Sequence, residues 1–123
     1  MTQKIGVVIV AAGSGSRFGD PLPKQYHQLG GKSLLAHCVD CFVGHTSADL
    51  IQIVYNPVHQ DWYEDAMSEV ACKTDIPMPV NGGQTRQQSV LNGLRALAGK
   101  SPDVVLIHDA ARPGISDAVI SRV

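Results

Sequence analysis

Continuous apolar runs alternating with amphipathic stretches predict an α/β chain: a Rossmann-like, open and mostly parallel sheet with helices on both faces. Three runs carry the first half of that prediction, Ile5 to Val10, Leu50 to Tyr55 and Val104 to His108. Each lacks the in-out alternation of a half-exposed strand, as expected for parallel strands covered on both sides. The segments between them repeat their apolar residues at helical spacing, and such alternation implies right-handed crossovers over a shared sheet.

The first strand, Ile5 to Val10, runs into a long loop from Ala11 to Tyr26. A helix from about Ser33 to Phe42 follows, with Ser33 as its N-cap. Strand two, Leu50 to Tyr55, is stopped by Asn56 and Pro57. The next helix, about His59 to Ala71, carries Trp62, Ala66, Met67 and Val70 on one stripe. A short strand is expected around Met78 to Val80. Thr85 and Gln88 have capping-box spacing and open a helix through Leu97, which Gly99 terminates. After the strand Val104 to His108, a further helix begins beyond Gly114 and Ser116. The sequence stops at Val123 as that helix begins, so residues 1–123 are expected to form part of a domain rather than all of it.

At 123 residues and 44% hydrophobic, the chain can bury a core as one layered unit. Its net charge is −1 and no Lys/Arg cluster appears, which argues against a nucleic-acid partner. No segment reaches transmembrane length, and the apolar run from Ile5 lacks the flanks of a signal peptide. A cytoplasmic protein with no membrane partner is expected. The three cysteines, Cys38, Cys41 and Cys72, fit a reducing compartment. His37, Cys41 and His45 fall at helical spacing and could line one face as zinc ligands. Leu34, Leu35, Cys38, Cys41 and Phe42 make an ordinary core stripe over the same segment, and that reading is preferred.

Ala11 to Tyr26 reads AAGSGSRFGDPLPKQY. Glycines at 13, 15 and 19 let backbone N–H groups approach an anion closely. Arg17 and Lys24 add a planar fork and a compact point charge, both suited to phosphate oxygens. The bland alternative is a glycine-rich linker with two solvated cations. Two familiar phosphate loops are excluded by counting. The dinucleotide fingerprint needs its third glycine one residue earlier, and Pro21 and Pro23 oppose the helix that should follow. Gly31, Lys32 and Ser33 imitate the end of a P-loop, but the glycine required five residues before Gly31 is Tyr26.

Two further loops share the carboxyl edge of the predicted sheet, Asn81 to Thr85 and Asp109 to Gly114. Gly82 and Gly83 precede a helix whose first turn holds Arg86 and Ser89, so N–H groups and a hydroxyl can meet a base or an anion; ordinary turn and cap formation explains them equally well. Asp109, at the end of VVLIH, can hold Mg²⁺ or a ribose hydroxyl, with Arg112 positioning it or touching phosphate. As a purely structural residue it would cap a turn and pair with Arg112.

The combination VAAGSGSRFGDPLPKQY, NGGQTRQQSVLNGL and VLIHDAARP closely resembles the 2-C-methyl-D-erythritol 4-phosphate cytidylyltransferase family. The resemblance spans essentially the whole chain, and implies a GT-A-like nucleotidyltransferase fold, here truncated. It further implies transfer of CMP from CTP to methylerythritol phosphate, with release of pyrophosphate, in non-mevalonate isoprenoid synthesis with Mg²⁺ as cofactor. By the same resemblance Ala11, Ala12, Gly13 and Gly15 line the CTP site, and Arg17 and Lys24 are the catalytic cations on the triphosphate. Gly82, Gly83 and Ser89 recognise cytosine, with Gln84 where the family often has an acid. Asp109 and Ala110 lie by the ribose and the metal, Asp109 as metal ligand, and Arg112 is on the substrate side. Full-length members are nearly twice as long and are expected to be homodimers; in some bacteria the enzyme is fused to a later pathway enzyme. Two other readings stay open: a cytidylyltransferase for another polyol phosphate such as ribitol 5-phosphate, and a catalytically silent nucleotide-binding module.

Overall fold

The computed structural model describes residues 4–13, 22–43, 48–71 and 76–111. In chain order its elements are β1 (Ile5–Ala11), β2 (Gln28–Leu29), β3 (Lys32–Ser33), α1 (Leu34–Val43), β4 (Leu50–Tyr55), α2 (Gln60–Ser68), β5 (Val80–Asn81), α3 (Arg86–Ala98) and β6 (Val104–Asp109). The main sheet has the order β5-β4-β1-β6, and every adjacent pair is parallel. The chain steps outward from β1 to β4 and β5, then returns to the far side of β1 as β6. The strand order therefore reverses between β1 and β6, and such a switch leaves a crevice at the carboxyl ends of the strands.

Successive β1 side chains feed opposite cores, because strand residues alternate in direction. Val7, Ile9 and Ala11 pack with Leu35, Val39 and Phe42 of α1 and with Tyr63 and Ala66 of α2. Val8 and Val10 pack on the other face with Val54 and Leu97. Helices thus cover both faces, α1 and α2 on one and α3 on the other. Each fully buried Leu, Ile or Phe contributes roughly 1.5–3 kcal/mol, which makes the continuous apolar run of β1 the stabilising centre. Gly93 lets α3 lie flat on the sheet: a Cβ there would come within 2.5 Å of Val8 Cγ1 and 2.9 Å of Val54 Cγ2.

Several boundaries differ from the sequence expectation for identifiable reasons. The helix expected from His59 begins instead as a 3-10 turn, Pro57–His59, capped by Asn56, whose side chain accepts from Val58 N at 3.0 Å. It ends at Ser68 rather than Ala71. There the chain turns to its neighbours: Glu69 accepts from Ser33 N at 2.9 Å and from Gln28 at 3.0 Å, while Ala71 N–H donates to both Asp40 oxygens. The short strand falls at Val80–Asn81, not Met78–Val80, because Gln52 Nε2 takes the Met78 carbonyl at 3.0 Å.

The glycines that imitate a P-loop make a tight hairpin between β2 and β3. Gly30 and Gly31 have φ of +64° and +83°, a pair of left-handed residues that matches strand twist. Ser33 does cap α1, accepting from Ala36 N at 3.2 Å. The capping box of α3 is half formed: Thr85 accepts from Gln88 N at 3.0 Å, but the Gln88 amide donates down the helix to Asn92. Gly99 ends α3 in right-handed geometry, φ −68°, and Ser101 takes the positive φ. Among the described residues no helix is long and apolar enough to cross a membrane.

Candidate functional site

The carboxyl ends of β1, β4 and β5 enclose a cavity of about 330 Å³, lined by Ala12, Asn56, Pro57, Asn81, Gly82, Gly83 and Gln84. Its glycine wall is fixed from several sides. Gly82 N–H donates to the Tyr55 carbonyl at 2.8 Å, and Gly83 N–H donates to Ser89 Oγ at 3.0 Å. Ser89 is buried in the first turn of α3, supporting the loop from beneath while its own O–H proton remains a donor. Asn92 Nδ2 holds the Asn81 carbonyl at 3.0 Å. Gly82 has no room for a side chain, since a Cβ would strike Ala12 Cβ and come within 2.8 Å of Ser89 Oγ.

Across β1 lies Asp109, the last residue of β6, paired in register with Val10. Its Oδ1 accepts from Ala111 N at 2.9 Å, a turn that sets the carboxylate at the sheet edge. Ala110, fully buried, donates its N–H to the Val10 carbonyl at 2.9 Å. Beneath them His108 packs edge-on against Phe42, ring centroids 5.2 Å apart. Burial, with smaller contributions from Cys41 and Asp109, pushes the Cys38 thiol well up, so it stays protonated and is no nucleophile.

The 3-10 turn Lys24–Tyr26 is tied to the segment on either side of Ala12. Lys24 is exposed, yet Pro23, Gln25 and Tyr26 around it are buried. Gln25 Nε2 donates to the Ala11 carbonyl at 2.9 Å and to the Gly13 carbonyl at 2.8 Å, joining the turn to the start of the glycine loop. Tyr26 sits against His59 and Trp62, ring centroids 6.0 and 5.9 Å away. Tyr26 Oη and His59 Nδ1 are buried without a hydrogen-bond partner. Burial raises the Tyr26 phenol and lowers the His59 imidazole, so both are neutral at pH 7.

Of the residues singled out in the sequence, Ala12, Gly82 and Gly83 line one cavity and Ser89 lies beneath it. Ala11 and Gly13 are tied to the turn of Lys24, and Asp109 and Ala110 border β1 on its other side. Gly15, Gly19, Arg17 and Arg112 lie outside the described residues, as do His45 and Cys72. Asn56 and Pro57 line the cavity although the sequence marked them only as chain punctuation; Asn81 lines it as the first residue of an expected site loop, and Gln25, inside the first loop, carried no signal of its own.

The sheet order and a site at its carboxyl edge define the class: an α/β protein of nucleotidyltransferase-like fold. The chain belongs to the 2-C-methyl-D-erythritol 4-phosphate cytidylyltransferase family, whose sequence model matches residues 5–123. It is 45% identical over 119 residues to the bifunctional enzyme IspD/IspF of Wolbachia pipientis wMel, covering 97% of this chain and 30% of that one. The bifunctional enzyme IspD/IspF of Bradyrhizobium diazoefficiens is 46% identical over 121 residues, covering 98% and 29%. A crystal structure of 4-diphosphocytidyl-2C-methyl-D-erythritol synthase from Anaerococcus prevotii superposes with a TM-score of 0.74 at 30% identity, over 98% of this chain and 48% of that one. The chain therefore spans about a third of the length of these curated relatives and about half that of the solved structure.

Proposed function

We propose that the polypeptide carrying this sequence transfers CMP from CTP to 2-C-methyl-D-erythritol 4-phosphate and releases pyrophosphate, and that residues 1–123 supply the CTP-binding part of its domain. One observation carries the reading: Ala12, Gly82 and Gly83, distant in sequence, line a single cavity beside the turn that presents Lys24. Membership of a cytidylyltransferase family supports it. A cavity of about 330 Å³ suits a small ligand held between loops.

In this reading cytosine enters the glycine-walled cavity, and the triphosphate runs along the loop after β1 toward Lys24 and Arg17. A phosphate oxygen of the acceptor attacks the α-phosphorus of CTP in line; the bond to the β-phosphate oxygen breaks and pyrophosphate leaves. No protein nucleophile is required, so the chain's task is positioning and charge neutralisation. Lys24 and Arg17 supply positive charge to the α-phosphoryl and departing oxygens, and Arg112 is assigned to the acceptor side. Asp109, set at the sheet edge by Ala111 N–H, fits Mg²⁺, which takes one or two carboxylates and otherwise binds water and substrate phosphate. When bound, that ion neutralises phosphate charge. The polypeptide is further read as a cytoplasmic homodimer whose ligands are CTP and a polyol phosphate.

Acceptor-dependent pyrophosphate release by the full natural polypeptide tests this. Release with methylerythritol phosphate and CTP, and not with ATP, GTP or UTP, is expected. Release only with ribitol 5-phosphate would move the assignment to the related polyol phosphate enzymes. CTP binding without turnover by the full polypeptide would make it a silent nucleotide-binding protein.

A further inference from the structure

We propose that Gln25 is a positioning residue for the phosphate side of this site: its amide locks the start of the glycine loop to the turn that presents Lys24. The inference rests on the reading of the site as a CTP site. Gln25 is only 5% exposed although its neighbour Lys24 is exposed. A buried amide must find partners, and an NH₂ group has two protons to give. Both go to main-chain carbonyls of one short segment, Ala11 at 2.9 Å and Gly13 at 2.8 Å. By peptide planarity the N–H of Ala12 then points away from Gln25, while Ala12 itself lines the cavity.

The turn is anchored on its other sides as well. Pro23 is fully buried, Tyr26 N–H donates to the Pro23 carbonyl at 3.0 Å, and the Tyr26 ring packs against Trp62 and His59. Among the described residues, Gln25 joins this anchored turn by its side chain to Ala11 and Gly13. Losing it takes the side-chain donor away from two carbonyls at once and unties the segment from the turn, which favours its rearrangement. A displacement of about 1 Å in a transferring site can cost on the order of a hundredfold in rate.

The test uses the full natural polypeptide with Gln25→Met, which keeps length and removes both donors, and Gln25→Glu, which turns an acceptor toward the two carbonyls. Trypsin cleavage after Lys24 is followed alongside kcat and KM for CTP. Gln25→Met is expected to raise the cleavage rate about tenfold and to lower kcat/KM by about tenfold or more, chiefly through kcat. In a Lys24→Ala background the same change is expected to cost less than about twofold, because both residues act through one arrangement. A merely structural residue would lower thermal stability and cost the same in both backgrounds. Equal losses in the two backgrounds, or a folded Gln25→Met with wild-type kcat, overturn the proposal. Failure of both variants to fold also overturns it, since Gln25 is then a core residue. A wild type without CTP-dependent activity whose Gln25→Met variant is cleaved faster overturns the CTP reading and leaves the link between turn and loop standing.

Discussion

Gly82 sits between Ala12, after β1, and Ser89 of α3, and only its missing side chain lets both lie this close to it. Gly82→Ala forces that contact apart and narrows the cavity. We expect CTP affinity to fall by about tenfold, with a loss of about 1–3 kcal/mol in stability from overpacking; titration calorimetry and thermal melts read the two effects separately, and unchanged affinity would remove Gly82 from the site. Lys24 is the opposite case, an exposed cation on a turn whose neighbours are buried. Lys24→Ala is expected to leave the melting temperature within a degree or two while lowering kcat by about a hundredfold or more, and normal pyrophosphate release by the variant would sink its catalytic role. Glycines and cations of this kind are visible in a sequence because their chemistry is unusual at those spacings. The uses of Gln25 and Asn56 were not visible: an ordinary polar residue beside a turn shows its use only when its partners, far away in sequence, are brought to it.

Three elements meet at Glu69, which accepts hydrogen bonds from Ser33 N and Gln28 and so fastens the end of α2 to the hairpin and to the start of α1. Burial pushes its carboxyl up, but these bonds and the nearby His37 outweigh it and hold the group below its ordinary 4.5. A carboxyl lowered in the folded state adds stability that is complete above its unfolded value and is lost as pH falls through the folded one. Glu69→Gln should therefore cost about 1 kcal/mol at neutral pH, with the gap to wild type closing below pH 4.5. His59, lowered by burial, also disfavours the fold in acid, but equally in both proteins. A gap in melting temperature that stays constant from neutral pH down to about 3 would contradict this role for Glu69. β1 and β4 were legible because parallel strands buried on both faces are continuously apolar; β6 was legible from the same kind of run, although it is mostly half-buried and Ile107 is exposed rather than covered as expected. The hairpin of β2 and β3 was not, since two-residue strands have no period to read, and the end of α2 depends on Asp40 and Glu69 finding partners across the fold.

At the scale of the whole molecule, the order β5-β4-β1-β6 is what brings three separate sequence segments to one edge of the sheet. Ala12, at the end of β1, meets the glycines following β5 on one side, β6 ending in Asp109 flanks β1 on the other, and the turn of Lys24 is tied to Ala11 and Gly13. Alternation of strands and helices was enough to infer a parallel sheet and to place these loops on a common edge. Sequence alone could not give the distances among them, because those depend on how closely α3 lies on β1 and β4 at Gly93. The central claim, that the three segments bind one CTP together, is tested most directly by hydrogen exchange of the full natural polypeptide with and without CTP and magnesium. Protection is expected together in peptides covering Ala11–Gly13, Asn81–Gln84 and Asp109–Ala111, with little change in α2. Protection confined to one of these segments, or absent from all three at saturating CTP, would contradict it.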